Sequence, residues 1–264
     1  RAFRLVACYA TACHGRCWQG ISTLTMPMTG DRGMPRPSSQ PQTAKSAPGH
    51  TQIAYEGIRR MLFHSEIVPG QKISYRDLSE RLGMSQTPVI QALKWLEFQR
   101  LVRHEPHRGY YTAPISLQEV EEIYDLRLLI EMNLLPVTLQ RIDRKGLSHM
   151  KRALEAHLKA ARSVYLYERL QKDMEFHLTL SELSGRRVQH QTLINLFDLL
   201  YLKYGGKFLF STSMDSADTD HKALFEHIEQ RDLKAAKRTL AHHIQRVKAH
   251  VLEGVRQMLE VTRG

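Results

Sequence analysis

The run SYRDLSERLGMSQTPVIQALKWLEFQRLVRHEPHRGYYTA, residues 74–113, constrains the fold more tightly than any other part of the chain. Leu78 and Leu82 give a short amphipathic helix, with Ser74 placed to cap it and Asp77 three residues on. Gly83 ends that helix, because a left-handed backbone costs glycine little. Ser85 is placed to cap a second helix, and Pro88 falls in its first turn, where the missing N–H is not needed. Val89, Ala92, Leu93, Trp95 and Leu96 form its inward stripe. Beyond Leu101, residues 102–104 and 110–112 read as two extended runs joined by residues 105–109. Helix, glycine turn, helix and basic hairpin together predict a winged helix-turn-helix. In that plan the second helix enters the major groove, and the wing touches backbone or minor groove. Residues 52–64 read as a preceding helix with Ile53, Ile58, Met61 and Leu62 inward, followed by a turn at Val68-Pro69-Gly70.

From residue 117 onward the pattern has no strand alternation. Helical periodicity marks 117–142, 146–162, 164–184, 187–209, 216–230 and 232–260. Ser116 is placed to cap the first of these with Glu119 completing a capping box, and Pro136 is expected to kink or break it. Asp143–Gly146, Ser184-Gly185 and Gly205-Gly206 punctuate the others. The predicted fold is mostly α: an N-terminal winged helix-turn-helix followed by an all-α bundle. The expected division is 1–50 as a tail, 51–115 as the winged domain and 116–264 as the helical domain. The tail is rich in Pro, Ser, Gly and Gln, a composition that buries too little apolar surface to order itself. An early-assigned start is one reading of it, with Met26, Met28 or Met34 as the true start.

The net charge of +11 invites a nucleic-acid reading, but its distribution weakens that inference. The first fifty residues carry six basic and one acidic residue, so nearly half the excess lies in the tail. No apolar run approaches the ~18 residues needed to span a bilayer. The three cysteines, Cys8, Cys13 and Cys17, all lie in the first twenty residues, which leaves no disulfide framework elsewhere and fits a reducing cytoplasm. With His14 they do not match a common zinc spacing.

The stretch PGQKIS…LSERLGMSQTPVIQALKWLEFQRLV…RGYYTA resembles the DNA-binding domain of the GntR family of bacterial transcription regulators. Ser85, Thr87, Pro88, Val89, Ala92 and Leu93 keep the family's densest run. Gln86 and Ile90 stand where the family commonly places two base-contacting arginines, whereas Arg76 retains a third contact position. The resemblance implies a DNA surface of Arg76, Ser85, Gln86, Thr87 and Ile90, with wing residues His107, Arg108 and Gly109. Operator preference does not carry over, although Gln86 is suited to adenine and Ile90 to a thymine methyl.

In KDMEFHLTL, Asp173 and His177 are spaced i, i+4 and share one helix face. His221 opens the next-to-last helix and His243 lies in the last. One carboxylate and three imidazoles suit a borderline divalent ion such as Zn²⁺, Ni²⁺, Mn²⁺ or Fe²⁺. From the residues alone, surface or hydrogen-bonded core histidines remain the alternative. Residues 117–253 resemble the all-helical FCD effector domain of the FadR-like branch of that family. The matching features are Asp173-x-x-x-His177, then His221, then His243, with Asp232 and Ala236 between the last two. The resemblance implies that Asp173, His177, His221 and His243 hold the metal. It also implies that Arg127, in a family Arg-x-x-x-Glu with Glu131, binds a small carboxylate effector. The competing reading of Arg127 is an intrahelical pair with Glu131. His242 would point ~100° away from His243.

The expected protein is therefore a cytoplasmic, homodimeric, metabolite-responsive regulator of operator DNA, and not an enzyme. Two alternatives are a metal-dependent enzyme and a DNA-binding protein whose effector domain does not respond. Against the enzyme, the sequence shows no further base near the quartet.

Overall fold

The computed structural model describes residues 49–161, 166–203 and 215–261. The readings of the tail, its cysteines, its candidate starts and Gly205-Gly206 lie outside these residues. Helix α1 (His50–Phe63) is followed by β1 (Lys72–Ile73), α2 (Tyr75–Leu82), α3 (Gln86–Phe98), β2 (Val102–Glu105) and β3 (Gly109–Thr112). Then come α4 (Leu117–Arg141), α5 (Arg144–Ala160), α6 (Leu166–Leu183) and α7 (Arg187–Asp198). A π-helical turn, Leu199–Lys203, continues α7, and α8 (Asp215–Glu229) and α9 (Leu233–Val261) complete the described bundle.

Ser74 accepts a hydrogen bond from the Asp77 N–H, and Gly83 takes up the left-handed conformation at φ 64°. The sheet is antiparallel in the order β1-β3-β2, with Val102 opposite Thr112 and Lys72 opposite Tyr111. The two-residue strand β1 has no place in the sequence reading, because a pair of residues carries no alternation to detect. Ala54, Ile58, Leu62, Val89, Leu93, Leu96 and Leu101 fill the core of this unit.

Three local expectations fail here. Ile53 and Trp95 were placed inward but are 41% and 43% exposed. The reason is that α1 and α3 face each other along a narrow seam, so residues at its edge stay wet; Trp95 meets Tyr55 edge-on at 5.9 Å. Ser85 occupies the N-cap position of α3, but its side chain makes no capping bond.

In the second unit, Ser116 accepts from the Glu119 N–H, and α4 then runs unbroken through Pro136. Of the expected kink or break, the break does not occur, because packing holds the helix on both sides of the proline. Leu134, Leu135 and Leu139 are buried, and buried Thr138 donates to the Leu180 carbonyl of α6. Asp143 caps α5 through the Gly146 N–H, so Gly146 lies in the first turn rather than before it. The 187–209 reading is met by α7 and the π turn as far as Lys203, and residues 204–209 lie outside the described residues. Val120, Leu139, Phe176, Phe197, Leu240 and Ile244 belong to one shared core.

Candidate functional site

Three helices bring the Asp/His quartet together. Asp173 and His177 project from α6, His221 from α8 and His243 from α9, and all four are buried. Their ligand atoms lie within 4.8 Å of one another. His177 Nε2 is 3.2 Å from His221 Nε2 and 3.3 Å from His243 Nε2. Asp173 Oδ1 is 3.6 Å from His221 Nε2.

Each Nδ1 faces away from this cluster. His177 Nδ1 is 2.6 Å from Glu131 Oε2, and His243 Nδ1 is 3.3 Å from Asp220 Oδ2. Their protons are therefore assigned to Nδ1, which leaves two Nε2 lone pairs facing each other. Two lone pairs at that distance repel unless a cation lies between them. Nitrogens ~2.1 Å from one ion would lie about 3.0–3.4 Å apart, so the spacing fits a shared divalent cation. His221 departs from the pattern, because its Nδ1 is 2.9 Å from His157 Nε2, which is also 3.0 Å from Asp218 Oδ1.

The electrostatics favour the same chemistry. Burial, reinforced by the neighbouring imidazoles, pushes His221 well below the ordinary histidine range. Burial also lowers His243, with the Asp220 hydrogen bond opposing it. Both rings are thus kept neutral, the form that ligates a metal. Burial would raise Glu131, but His177 and Arg127 outweigh it and hold the carboxyl down at about 2. Asp173 is lowered as well, because His177, His157 and His243 overcome its burial.

Arg127 is 1% exposed. Its Nε donates to Glu131 Oε1 at 3.0 Å, and its guanidinium lies 4.3 Å from the Phe197 ring centre. Its buried Nη2 makes no hydrogen bond of good geometry among the described residues; the buried Tyr124 hydroxyl one helical turn earlier lies close enough to interact with the guanidinium but does not complete such a bond. The intrahelical pair and a ligand-binding role are therefore compatible, since they use different nitrogens of one guanidinium. Tyr201 donates to Asp173 Oδ2 at 3.4 Å.

Sequence reasoning missed His157, Asp218, Asp220 and Tyr201, and it paired Glu131 only with Arg127. The statement that no further base lies near the quartet is corrected by Glu131 and His157. Glu131 had a local signal, being one turn from Arg127. Tyr201, His157 and Asp220 contact the quartet across 23 to 64 residues of chain, and Asp218 reaches it through His157, so the sequence between the partners leaves no local trace.

The exposed chemistry of the winged unit lies apart from this interior. Arg76 and Gln86 line one shallow concavity between α2 and α3. Ile90 lines a second, between α3 and the wing, together with Tyr75, Lys94, Phe98 and His104. Ser85, Gln86, Thr87, His107 and Arg108 are exposed, whereas Ile90 and Gly109 are half-buried. The wing turns through His107 at φ 62° and Gly109 at φ 97°. Tyr75 and Lys94 were not singled out from sequence.

No helix among the described residues is long and apolar enough to cross a membrane. Residues 51–111 match the family model described as bacterial regulatory proteins, gntR family, and residues 122–246 match the FCD domain. The chain is 24% identical over 221 residues to the uncharacterized HTH-type transcriptional regulator YdhC of Bacillus subtilis, covering 82% of this chain and 95% of that protein. It is 25% identical over 217 residues to the HTH-type transcriptional repressor RspR of Escherichia coli, covering 82% and 93%. Among solved structures, E. coli McbR/YncC superposes with a TM-score of 0.68 at 17% identity, covering 78% of this chain and 99% of that one. A GntR-type regulator from Rhodococcus superposes at 0.64 with 19% identity, covering 77% and 97%. At these identities the structural likeness speaks for the fold.

Proposed function

Because the chain belongs to the gntR family of bacterial regulatory proteins and carries an FCD domain, it is a DNA-binding transcription regulator rather than an enzyme, and we propose that a small carboxylate effector controls it through a divalent metal held in the helical unit. Asp173, His177, His221 and His243 would hold the ion, which supplies an electrophilic contact for one carboxylate oxygen. The observation that carries the effector reading is the unpartnered Nη2 of Arg127, buried beside the quartet. A buried guanidinium N–H without an acceptor is costly, and a second carboxylate oxygen would satisfy it.

On the DNA side, Arg76, Ser85, Gln86, Thr87, Ile90 and the wing residues His107, Arg108 and Gly109 form the operator surface. A single recognition helix covers only a half-site, so the working form is a homodimer acting in the cytoplasm. Leu126 and Leu129 on α4 and Val188 on α7 are exposed and apolar, which supports a partner on that side of the bundle.

Elemental analysis and a thermal-shift panel of carboxylates on the metal-loaded full chain test this reading. His243→Ala is expected to lower bound metal about 10-fold or more. Arg127→Lys keeps the charge facing Glu131 and should retain metal while losing the carboxylate-induced shift. Wild-type protein with no bound metal, and no uptake of added Zn²⁺, would sink the proposal.

A further inference from the structure

Residues 197–203 touch both functional regions at once. Phe197 lies under the Arg127 guanidinium and 6.0 Å from the His177 ring. Tyr201 stacks on Phe197 at 5.7 Å and donates to Asp173. The neighbours of these two residues point the other way. Asp198 makes a two-pronged ion pair with Arg59 of α1, at 2.8 and 2.7 Å. Leu202 is buried in the core of the winged unit, and Leu199 packs against both cores. Lys203 binds both carboxylate oxygens of Glu119 in the first turn of α4, just beyond the joint between the units.

The backbone makes this double role possible. Leu199–Lys203 is a π turn, a rare local geometry that accommodates one residue more per turn and recurs at functional sites. Residues four apart lie on one helix face, so Phe197 and Tyr201 share one face while Asp198 and Leu202 share the neighbouring one. Because both faces belong to one short turn, Tyr201 cannot shift appreciably without carrying Leu202 with it. Asp198 and Arg59 anchor the upstream end to α1, whose own Ala54, Ile58 and Leu62 pack in the winged core.

We propose that the turn 197–203 relays occupancy of the buried quartet to the DNA-binding unit. Asp173 and Phe197 form its input, and the Asp198–Arg59 pair with Leu202 forms its output. This rests on the reading of the quartet as a metal-dependent effector site. Coupling of this kind requires a packed element that both sites bias, and the π turn packed between the two cores is in contact with both.

Hydrogen exchange of the full chain with and without Zn²⁺ alone tests the relay, with metal binding measured in parallel. In the wild type, Zn²⁺ should slow amide exchange in residues 50–63 by about fivefold or more, although α1 carries none of the quartet. Asp198→Asn and Leu202→Ala should bind Zn²⁺ with unchanged stoichiometry while losing most of that response. Leu202→Ala removes apolar volume from the winged core, whereas Asp198→Asn is nearly isosteric and keeps the test sound if the former is poorly folded. Wild-type protein that binds Zn²⁺ with no change in residues 50–63 would overturn the relay while leaving the effector site standing. Asp198→Asn protein with a full response would overturn the route through this turn. Absence of Zn²⁺ binding would remove the effector site and the relay together.

Discussion

Arg76 on α2 and Arg127 on α4 each pair with a glutamate four residues on, at 3.2 and 3.0 Å. Their surroundings differ completely. The Arg76 and Glu80 side chains are 79% and 68% exposed, whereas those of Arg127 and Glu131 are 2% and 1% exposed. An exposed i, i+4 pair contributes only ~0.3–0.5 kcal/mol and is easily given up when a phosphate or base edge approaches. A buried pair is fixed, because either partner alone would be an uncompensated charge in the interior. The winged unit therefore carries its chemistry on releasable surface groups. The helical unit builds its chemistry into the core, where function and stability share the same residues.

The largest expected effect comes from Arg127→Ala. It leaves the Glu131 carboxylate buried without its guanidinium counter-charge, held by the His177 Nδ1 hydrogen bond, and removes the group packed on Phe197. A loss of about 3 kcal/mol or more follows, roughly 6–12 °C in melting temperature. A melting temperature within about 2 °C of wild type would break the comparison, since the buried pair would then behave like a surface one.

Arg76→Ala should do the reverse. Its side chain is solvated, so the melting temperature should stay put, while operator affinity should fall by about 1–3 kcal/mol if the guanidinium reads a base. A competition assay on selected operator DNA, repeated over a salt series, separates the two ways it can act. A uniform loss across sequences with a reduced salt slope would place Arg76 on phosphate instead.

The same contrast explains what the sequence disclosed. Surface function rests on local chemistry, and the local signals were readable: the Ser74 cap, Gly83 in the left-handed region, Pro88 in the first turn. What failed there was fine burial. Helical periodicity places Ile53 and Trp95 on the apolar side but does not say where the facing element ends. In the helical unit, the spacing of Asp173 and His177 put two quartet members on one face, His221 and His243 stood as candidates on the last two helices, and the family resemblance joined the four into one site. The fold brings the four together, with ligand atoms within 4.8 Å of one another. His157, Asp218 and Tyr201 were invisible because their roles depend on which helices become neighbours. Pro136 shows the same limit in reverse, since tertiary packing overruled a strong local signal.

The smallest effect distinguishes the two ends of helices within the winged unit itself. Both α2 and α3 finish in one hydrogen-bond pattern. Gly83 N–H donates to Glu80 and Met84 N–H to Ser79, while Arg100 N–H donates to Glu97 and Leu101 N–H to Leu96. In both, the turning residue is left-handed, at φ 64° for Gly83 and 61° for Arg100. Glycine adopts this conformation freely, whereas a side chain pays ~1–2 kcal/mol in steric strain. Arg100→Gly relieves that strain but adds freedom to the unfolded chain, which offsets ~0.4–1 kcal/mol of the gain. The net expectation is a stabilisation of up to about 1 kcal/mol, read as a small rise in denaturant midpoint at unchanged slope. Operator affinity should change only by the loss of one diffuse charge, which disappears at high salt. A lower midpoint would show that the Arg100 side chain contributes packing or charge stabilisation larger than its backbone strain.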